Sequence, residues 1–261
     1  SNVVPRSFSM PWKYGAVGTS EWTGTPLRPL IKKAAPKSDV VDISFTGADR
    51  GYDSGHEHNF ARSLTLKQIE ELDVLLVYQM NGIPLLPQHG APLRVIVPGW
   101  YGMASVKWLT EIKALNESFD GYQQTGTYCF RTTRDEPGIP ITDIRVKSLM
   151  KPPGIPDWTS RKRLVPKGEV SLIGRAWSGG GRKIKKVEVS VNGEWFEAKL
   201  YNSNSKYSWI KWALDWNASE GHYILGCRAT DNSGQIQPDT QVFDVGGFAN
   251  NAIQQIEIFV R

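Results

Sequence analysis

His89, Arg94 and Lys107 lie in one short stretch, "HGAPLRVIVPGWYGMASVKW", where they bracket an apolar strand and a turn rich in glycine and aromatic residues. Arginine and lysine side chains beside open backbone N–H groups are the ordinary chemistry of a phosphate pocket. Asp49 follows the strand pattern that starts at Val40, and loops after strands are where mixed folds hold their ligands. Taken singly, each of these residues reads more simply as a surface or ion-paired side chain. Their concentration beside a core strand is what asks for a buried anion.

Those residues need a scaffold, and the chain supplies two kinds. "TPLRPLIKKAA" (25–35) opens with Thr-Pro and carries Leu27, Leu30 and Ile31 at helical spacing. "VVDISFTGA" (40–48) alternates and then reaches a glycine, which predicts a strand ending in a loop. "SLTLKQIEEL" predicts a short helix, while "DVLLVYQMNG" and "LRVIVPG" predict buried strands closed by Asn-Gly and Pro-Gly. "SVKWLTEIKAL" fits helix and strand equally poorly. From about residue 131 to 168 the pattern turns irregular and proline-rich, as in an extended connector. Beyond it come six period-2 segments separated by Gly, Asn and Ser turns, the pattern of an immunoglobulin-type sandwich. The predicted fold class is therefore α+β. A mixed domain spans residues 1–145, a connector 146–168 and an all-β sandwich 169–261.

Composition narrows the function classes. A net charge of +5 is spread among acids, and the one dense run, Arg182-Lys183-Ile184-Lys185-Lys186, would alternate across a strand. A nucleic-acid binder would concentrate its charge, so that class is set aside. No apolar run approaches the ~20 residues of a membrane span. Cys129 and Cys227 make no disulfide framework. The Trp-rich strand "SWIKWALDW" raises an adhesion or carbohydrate module, but alternating Trp and aliphatic residues more simply pack a sandwich.

The wording of several segments carries more. "GAVGTSEWTGTPLRPLI" and "NGIPLLPQHGAPLRVIVPGWYGMASVKWL" closely resemble the sulfite oxidase family of molybdenum-cofactor oxidoreductases, with phrasing shared by its bacterial members. "SLIGRAWSGGGRKIKKVEVSVNGEWF" and "CRATDNSGQIQPD" resemble that family's C-terminal immunoglobulin-like domain, which usually dimerises. The resemblance implies a molybdopterin whose terminal phosphate is held by His89, Arg94 and Lys107, with Asp49 accepting from the pterin ring. It implies that Tyr128 is the active-site tyrosine and that Trp12 shapes the substrate pocket. Oxygen-atom transfer on a small oxyanion such as sulfite follows, with nitrate reduction as the runner-up. A separate electron acceptor is expected, because no haem-attachment motif is present. A homodimer through the C-terminal domain is expected as well. Location stays open between periplasm and cytoplasm.

Two departures qualify the resemblance. The family's metal takes a thiolate from a Cys-Ala-Gly-Asn type loop, which by spacing is expected upstream of Ser1; this sequence has no cysteine before Cys129. Cys129 is a poor substitute, because neighbouring strand residues face opposite ways and Tyr128 takes the inward direction. Cys227 reads as a core thiol. Gly246 in "FDVGGFANNAI" stands where animal and plant members place a substrate-binding arginine, and Arg6 or another cation would have to compensate. These departures leave open a metal-free member that serves only as a dimerisation or interaction module.

Overall fold

The structure is a computed structural model that describes Trp12 and residues 14–261 apart from Ser54 and Asn204. The chain is mostly β and forms two compact units: one runs to Asp143 and also takes Phe243–Phe248, while the other comprises Ile144–Val242 and Ala249–Arg261.

The first unit contains strands β1 (Trp22–Pro26), β2 (Asp42–Asp53), β3 (His56–Thr65), β4 (Leu75–Met80), β5 (Ile83–Pro84), β6 (Arg94–Ile96), β7 (Leu109–Leu115), β8 (Cys129–Phe130) and β9 (Ile139–Pro140). Its helices are short: α1 (Leu27–Ala34) and α2 (Leu66–Glu71). The α+β expectation thus gives way to a β-dominated unit in which helices only link strands. The α2 start is a capping box: Gln68 N–H donates to Thr65 Oγ1 and Thr65 N–H donates to Gln68 Oε1. In α1 only Leu27 is buried and Leu30 is 41% exposed, so the helix lies on the surface.

β2 pairs with β3 and β7, and β4 pairs with β1, β5 and β6, all antiparallel. Ile43, Phe45 and Leu64 meet Leu76, Val95 and Val97 in the main core. The alternate residues Val77 and Ile96 join Leu85 and Trp22 in a smaller cluster. The β4–β6 sheet is therefore buried on both faces, which is why its strands read as unbroken apolar runs. The undecided stretch "SVKWLTEIKAL" becomes β7, an edge strand whose middle residues are all exposed. An edge with one wetted side imposes little apolar periodicity, hence its ambiguous pattern.

The second unit contains β10 (Lys147–Met150), β11 (Ile155–Pro156), β12 (Arg163–Val165), β13 (Gly168–Trp177), β14 (Ile184–Val191), β15 (Glu194–Glu197), β16 (Lys199–Leu200), β17 (Ile210–Ala218), β18 (Gly221–Asp231) and β19 (Gln254–Val260). They form two sheets, ordered β10-β13-β17-β16 and β11-β12-β19-β18-β14-β15. One core joins them, with Met150, Leu172 and Trp212 from the first sheet and Val189, Cys227 and Ile258 from the second. The proline-rich stretch 146–168 supplies β10, β11 and β12, and so contributes strands to both sheets.

Candidate functional site

The short strand β6 fixes the start of the site. Arg94 faces Val77 across the β4–β6 pair, and its guanidinium lies 5.0 Å over the Trp22 ring. Nη1 donates to His89 O at 2.9 Å and Nη2 to Ser105 O at 3.0 Å. Arg94 thereby pins the 3-10 turn Pro87–His89 to the loop that follows β6. Its Nε is buried and has no hydrogen-bond partner. Burial pulls the guanidinium down to about 10, still charged at neutral pH.

Lys107 meets the same turn from the other side. Its Nζ donates to Gln88 O at 3.3 Å and lies 3.9 Å over the Trp108 ring, while Trp108 Nε1 donates to Pro87 O at 2.7 Å. This approach needs a residue without a side chain at position 90. Gly90 has φ +97°, and a Cβ there would stand 2.8 Å from Lys107 Cβ. His89 is half-buried, and its carbonyl, which takes Arg94, is next in the chain to the Gln88 carbonyl that takes Lys107.

Asp49 closes the frame. The β2 ladder shifts register between Thr46 and Arg50, and the resulting bulge re-aims this carboxylate. Ala48 N–H donates to Trp108 O at 2.8 Å, which ties the bulge to the Lys107 segment. A Cβ on Gly47 would collide with both Asp49 Oδ1 and the Lys107 carbonyl. Asp49 Oδ1 is buried and accepts no hydrogen bond. The side chains of Arg94 and Lys107 thus meet on the neighbouring carbonyls of His89 and Gln88, and Asp49 lies beside the Lys107 backbone. A buried carboxylate oxygen without a donor is an acceptor that a ligand's N–H, a water or an ion would satisfy.

Tyr128 lies in a second neighbourhood. A π-helical turn, Gln123–Thr127, precedes it, and Ile141 N–H donates to its carbonyl at 3.0 Å. Its ring is 5.5 Å from that of Phe248. The Phe243–Phe248 segment is held there by Asp244, whose carboxylate accepts from Arg131 N–H at 2.8 Å and from Phe248 N–H at 3.0 Å. Gly246, the position lacking the expected arginine, lies in this segment, and a Cβ on it would strike the Phe248 ring. Cys129 turns away into the π-turn, its thiol donating to Gln124 O at 2.9 Å and Thr125 O at 3.2 Å. Burial pushes that thiol's pKa up, so it is a poor thiolate. Among the described residues no cluster of three or more His, Cys, Asp or Glu side chains could hold a metal. The two cations of the frame suit a phosphate, and the unpartnered Asp49 oxygen suits a ring N–H.

Trp12 is 60% exposed and makes no ring contact with Tyr128 among the described residues. Arg6 lies outside them. Sequence reasoning passed over Arg62, which is 2% exposed on β3 and donates from Nη1 to Gln123 O at 2.7 Å and from Nη2 to Ile141 O at 3.1 Å. A single arginine in "NFARSLT" gives no signal of burial, because its surroundings come from residues sixty to eighty positions away.

Two family models match the chain: an oxidoreductase molybdopterin binding domain over residues 2–123, and a Mo-co oxidoreductase dimerisation domain over residues 139–261. The chain belongs to the sulfite oxidase family of molybdopterin oxidoreductases. Mitochondrial sulfite oxidase of Macaca fascicularis is 31% identical over 95% of this chain and 48% of that protein. An NADH nitrate reductase of Ulva prolifera is 28% identical over 98% of this chain and 33% of that protein. Among solved structures, the sulfane dehydrogenase SoxCD of Paracoccus pantotrophus aligns with a TM-score of 0.77 at 25% identity, covering 93% of this chain and 62% of that one. The chain spans about half the length of the sulfite oxidases it matches and about a third of the nitrate reductases. The first family model covers Asp49, His89, Arg94 and Lys107, whereas Tyr128 falls between the two matched spans.

Proposed function

We propose that this chain carries the pterin-binding frame of an oxidoreductase that transfers an oxygen atom to or from a small oxyanion such as sulfite. The observation that carries this reading is the convergence of two cations on the carbonyls of His89 and Gln88, with an unpartnered buried carboxylate oxygen beside the Lys107 backbone. His89, Lys107 and the free N–H groups of Arg94 would take the terminal phosphate of molybdopterin. Each charge-assisted bond is worth about 1.5–3 kcal/mol, enough in combination to retain a non-covalent group. Asp49 Oδ1 would accept from the ring. When bound, the molybdenum cofactor supplies the two-electron oxygen-atom chemistry. The chain's own part is to orient that group, and to present the Tyr128 hydroxyl, which would donate to a substrate oxygen and hold a proton there. Trp12 would wall the substrate pocket. Sulfite oxidases and nitrate reductases both match the chain, and sulfite is preferred because the nearer wording and the higher identity are theirs.

In the same reading the second unit is an immunoglobulin-type sandwich that pairs two copies of the chain, and electrons leave to a separate acceptor. The test is to titrate isolated molybdopterin into the protein and into Arg94→Met and Lys107→Met variants. Wild-type protein is expected to bind one pterin per chain, with each variant at least tenfold weaker. Equal affinity in all three would overturn the frame as the pterin site.

A further inference from the structure

Arg62 is a buried charge with no opposite charge beside it. Its side chain is 2% exposed, its two hydrogen bonds go to backbone carbonyls, and its Nε has no partner. Among the described residues no carboxylate pairs with it, and the titratable groups within its electrostatic reach are Cys129 and Tyr128. Taking an ionised guanidinium out of water is costly unless a counter-charge or a full set of acceptors replaces the solvent. A neutral amide side chain would satisfy one or both carbonyls without that cost. What a guanidinium adds is permanent positive charge.

The two carbonyls that hold it bracket Tyr128. Gln123 opens the π-turn that ends just before the tyrosine, and Ile141 also donates its N–H to Tyr128 O. Such π-turns concentrate at functional positions. Across the phenol, Phe248 brings no charge, while Arg131, a second guanidinium, grips the end of the turn through the Thr125 and Gly126 carbonyls. We propose that Arg62 supplies the fixed positive charge of an oxyanion site at Tyr128, holding the turn that carries the tyrosine and drawing an anionic substrate to it. This rests on reading Tyr128 as the substrate-facing residue. Arg62 acts from inside the wall through its field and through the turn, so it is a positioning residue.

The experiment uses the molybdopterin-loaded protein with sulfate as an unreactive oxyanion probe, measured by calorimetry, beside sulfite steady-state kinetics. Arg62→Met removes the charge; Arg62→Lys keeps it but cannot grip both carbonyls. Arg62→Met is expected to weaken sulfate binding and raise the sulfite KM at least tenfold, with a smaller change in kcat. Arg62→Lys is expected to stay within about threefold of wild type for sulfate, although its melting temperature falls. If the methionine variant does not fold, the lysine variant decides alone. Loss of sulfate binding in step with stability in Arg62→Lys, unchanged binding in Arg62→Met, or no binding of sulfate to the wild type would each overturn the proposal. Charge-dependent sulfate binding without sulfite oxidation would instead count against the proposed reaction and leave Arg62 in its role.

Discussion

In the second unit, Gln237 is 1% exposed, and both ends of its amide are used. Its Oε1 accepts from Ser148 N–H at 2.7 Å and Ala229 N–H at 3.3 Å, and its Nε2 donates to Ala252 O at 3.2 Å and Ser148 O at 3.4 Å. In the first unit, Asp49, Arg62, Thr127 and Arg94 each keep a buried polar atom without a hydrogen-bond partner. Among the described residues most of the second unit's buried polar groups are satisfied from within, although not all: the indole N–H of Trp212 is unmet. The first leaves several unmet, and they lie around the frame and around the tyrosine-bearing turn. Unmet buried groups cost stability, and a ligand that supplies the partner would offset that cost. The contrast is one of degree, and the first unit's unmet atoms lie beside the residues proposed to hold the pterin and the substrate.

The largest expected effect lies in the self-sufficient unit. Trp212 is fully buried in the shared core, and Gly174 faces it across the β13–β17 pair because a Cβ there would strike the indole. Trp212→Ala should destabilise the second unit by about 3–5 kcal/mol, measured by denaturant unfolding. Pterin bound per folded molecule should not change. A drop in pterin affinity would break the separation drawn between the units.

A smaller effect, with a pH signature, is expected at Asp231. This fully buried carboxylate accepts from Arg182 Nε at 3.0 Å, Ser178 Oγ at 2.7 Å and Ser233 Oγ at 2.6 Å. Burial works against its ionisation, but the hydrogen bonds from Ser233, Ser178 and Gln235 outweigh it and hold the pKa below the ordinary carboxylate value. A depressed acid pKa means its stabilisation is complete above the unfolded value of about 4 and is lost as pH falls through the folded one. Asp231→Asn should cost about 2–3 kcal/mol at pH 7 and flatten the acid limb of stability. Urea unfolding at pH 7 and pH 3 reads both. An unchanged acid limb would show that other carboxylates set it.

How much of this was legible in the sequence follows the same division. The strands of the second unit announce themselves, since "KVEVSVN" and "HYILGCRATD" alternate over one buried face each, and β14 and β18 are those segments. The connector was misleading for a local reason. Prolines at 152, 153 and 156 suppress strand periodicity, yet β10 pairs with β13, β12 pairs with β19, and Pro156 itself lies in β11. In the first unit the frame was visible as a gathering of cations, because His89, Arg94 and Lys107 are close in sequence and one turn joins them. What it hid is how Arg94 is used: two of its N–H groups are committed to backbone carbonyls that no local pattern reveals. Arg62 and the docking of Phe248 on Tyr128 were invisible, since each joins segments far apart along the chain.

The sharpest test of the comparison is the one with the smallest effect on stability. If Asp49 Oδ1 is kept unpartnered for a ligand, deleting the side chain removes a buried acceptor that contributes no hydrogen bond to the fold. Asp49→Ala should then leave unfolding free energy within about 0.5 kcal/mol of wild type, or raise it slightly. Its pterin affinity should nevertheless fall by about ten- to a hundredfold, the worth of one charge-assisted hydrogen bond. Thermal unfolding with and without molybdopterin measures both quantities on one sample, since a ligand stabilises the folded state in proportion to its affinity. A variant that melts well below wild type in the absence of pterin would mean that the carboxylate serves the β2 bulge itself. The contrast between a self-sufficient unit and a ligand-dependent one would then lose its best-placed example.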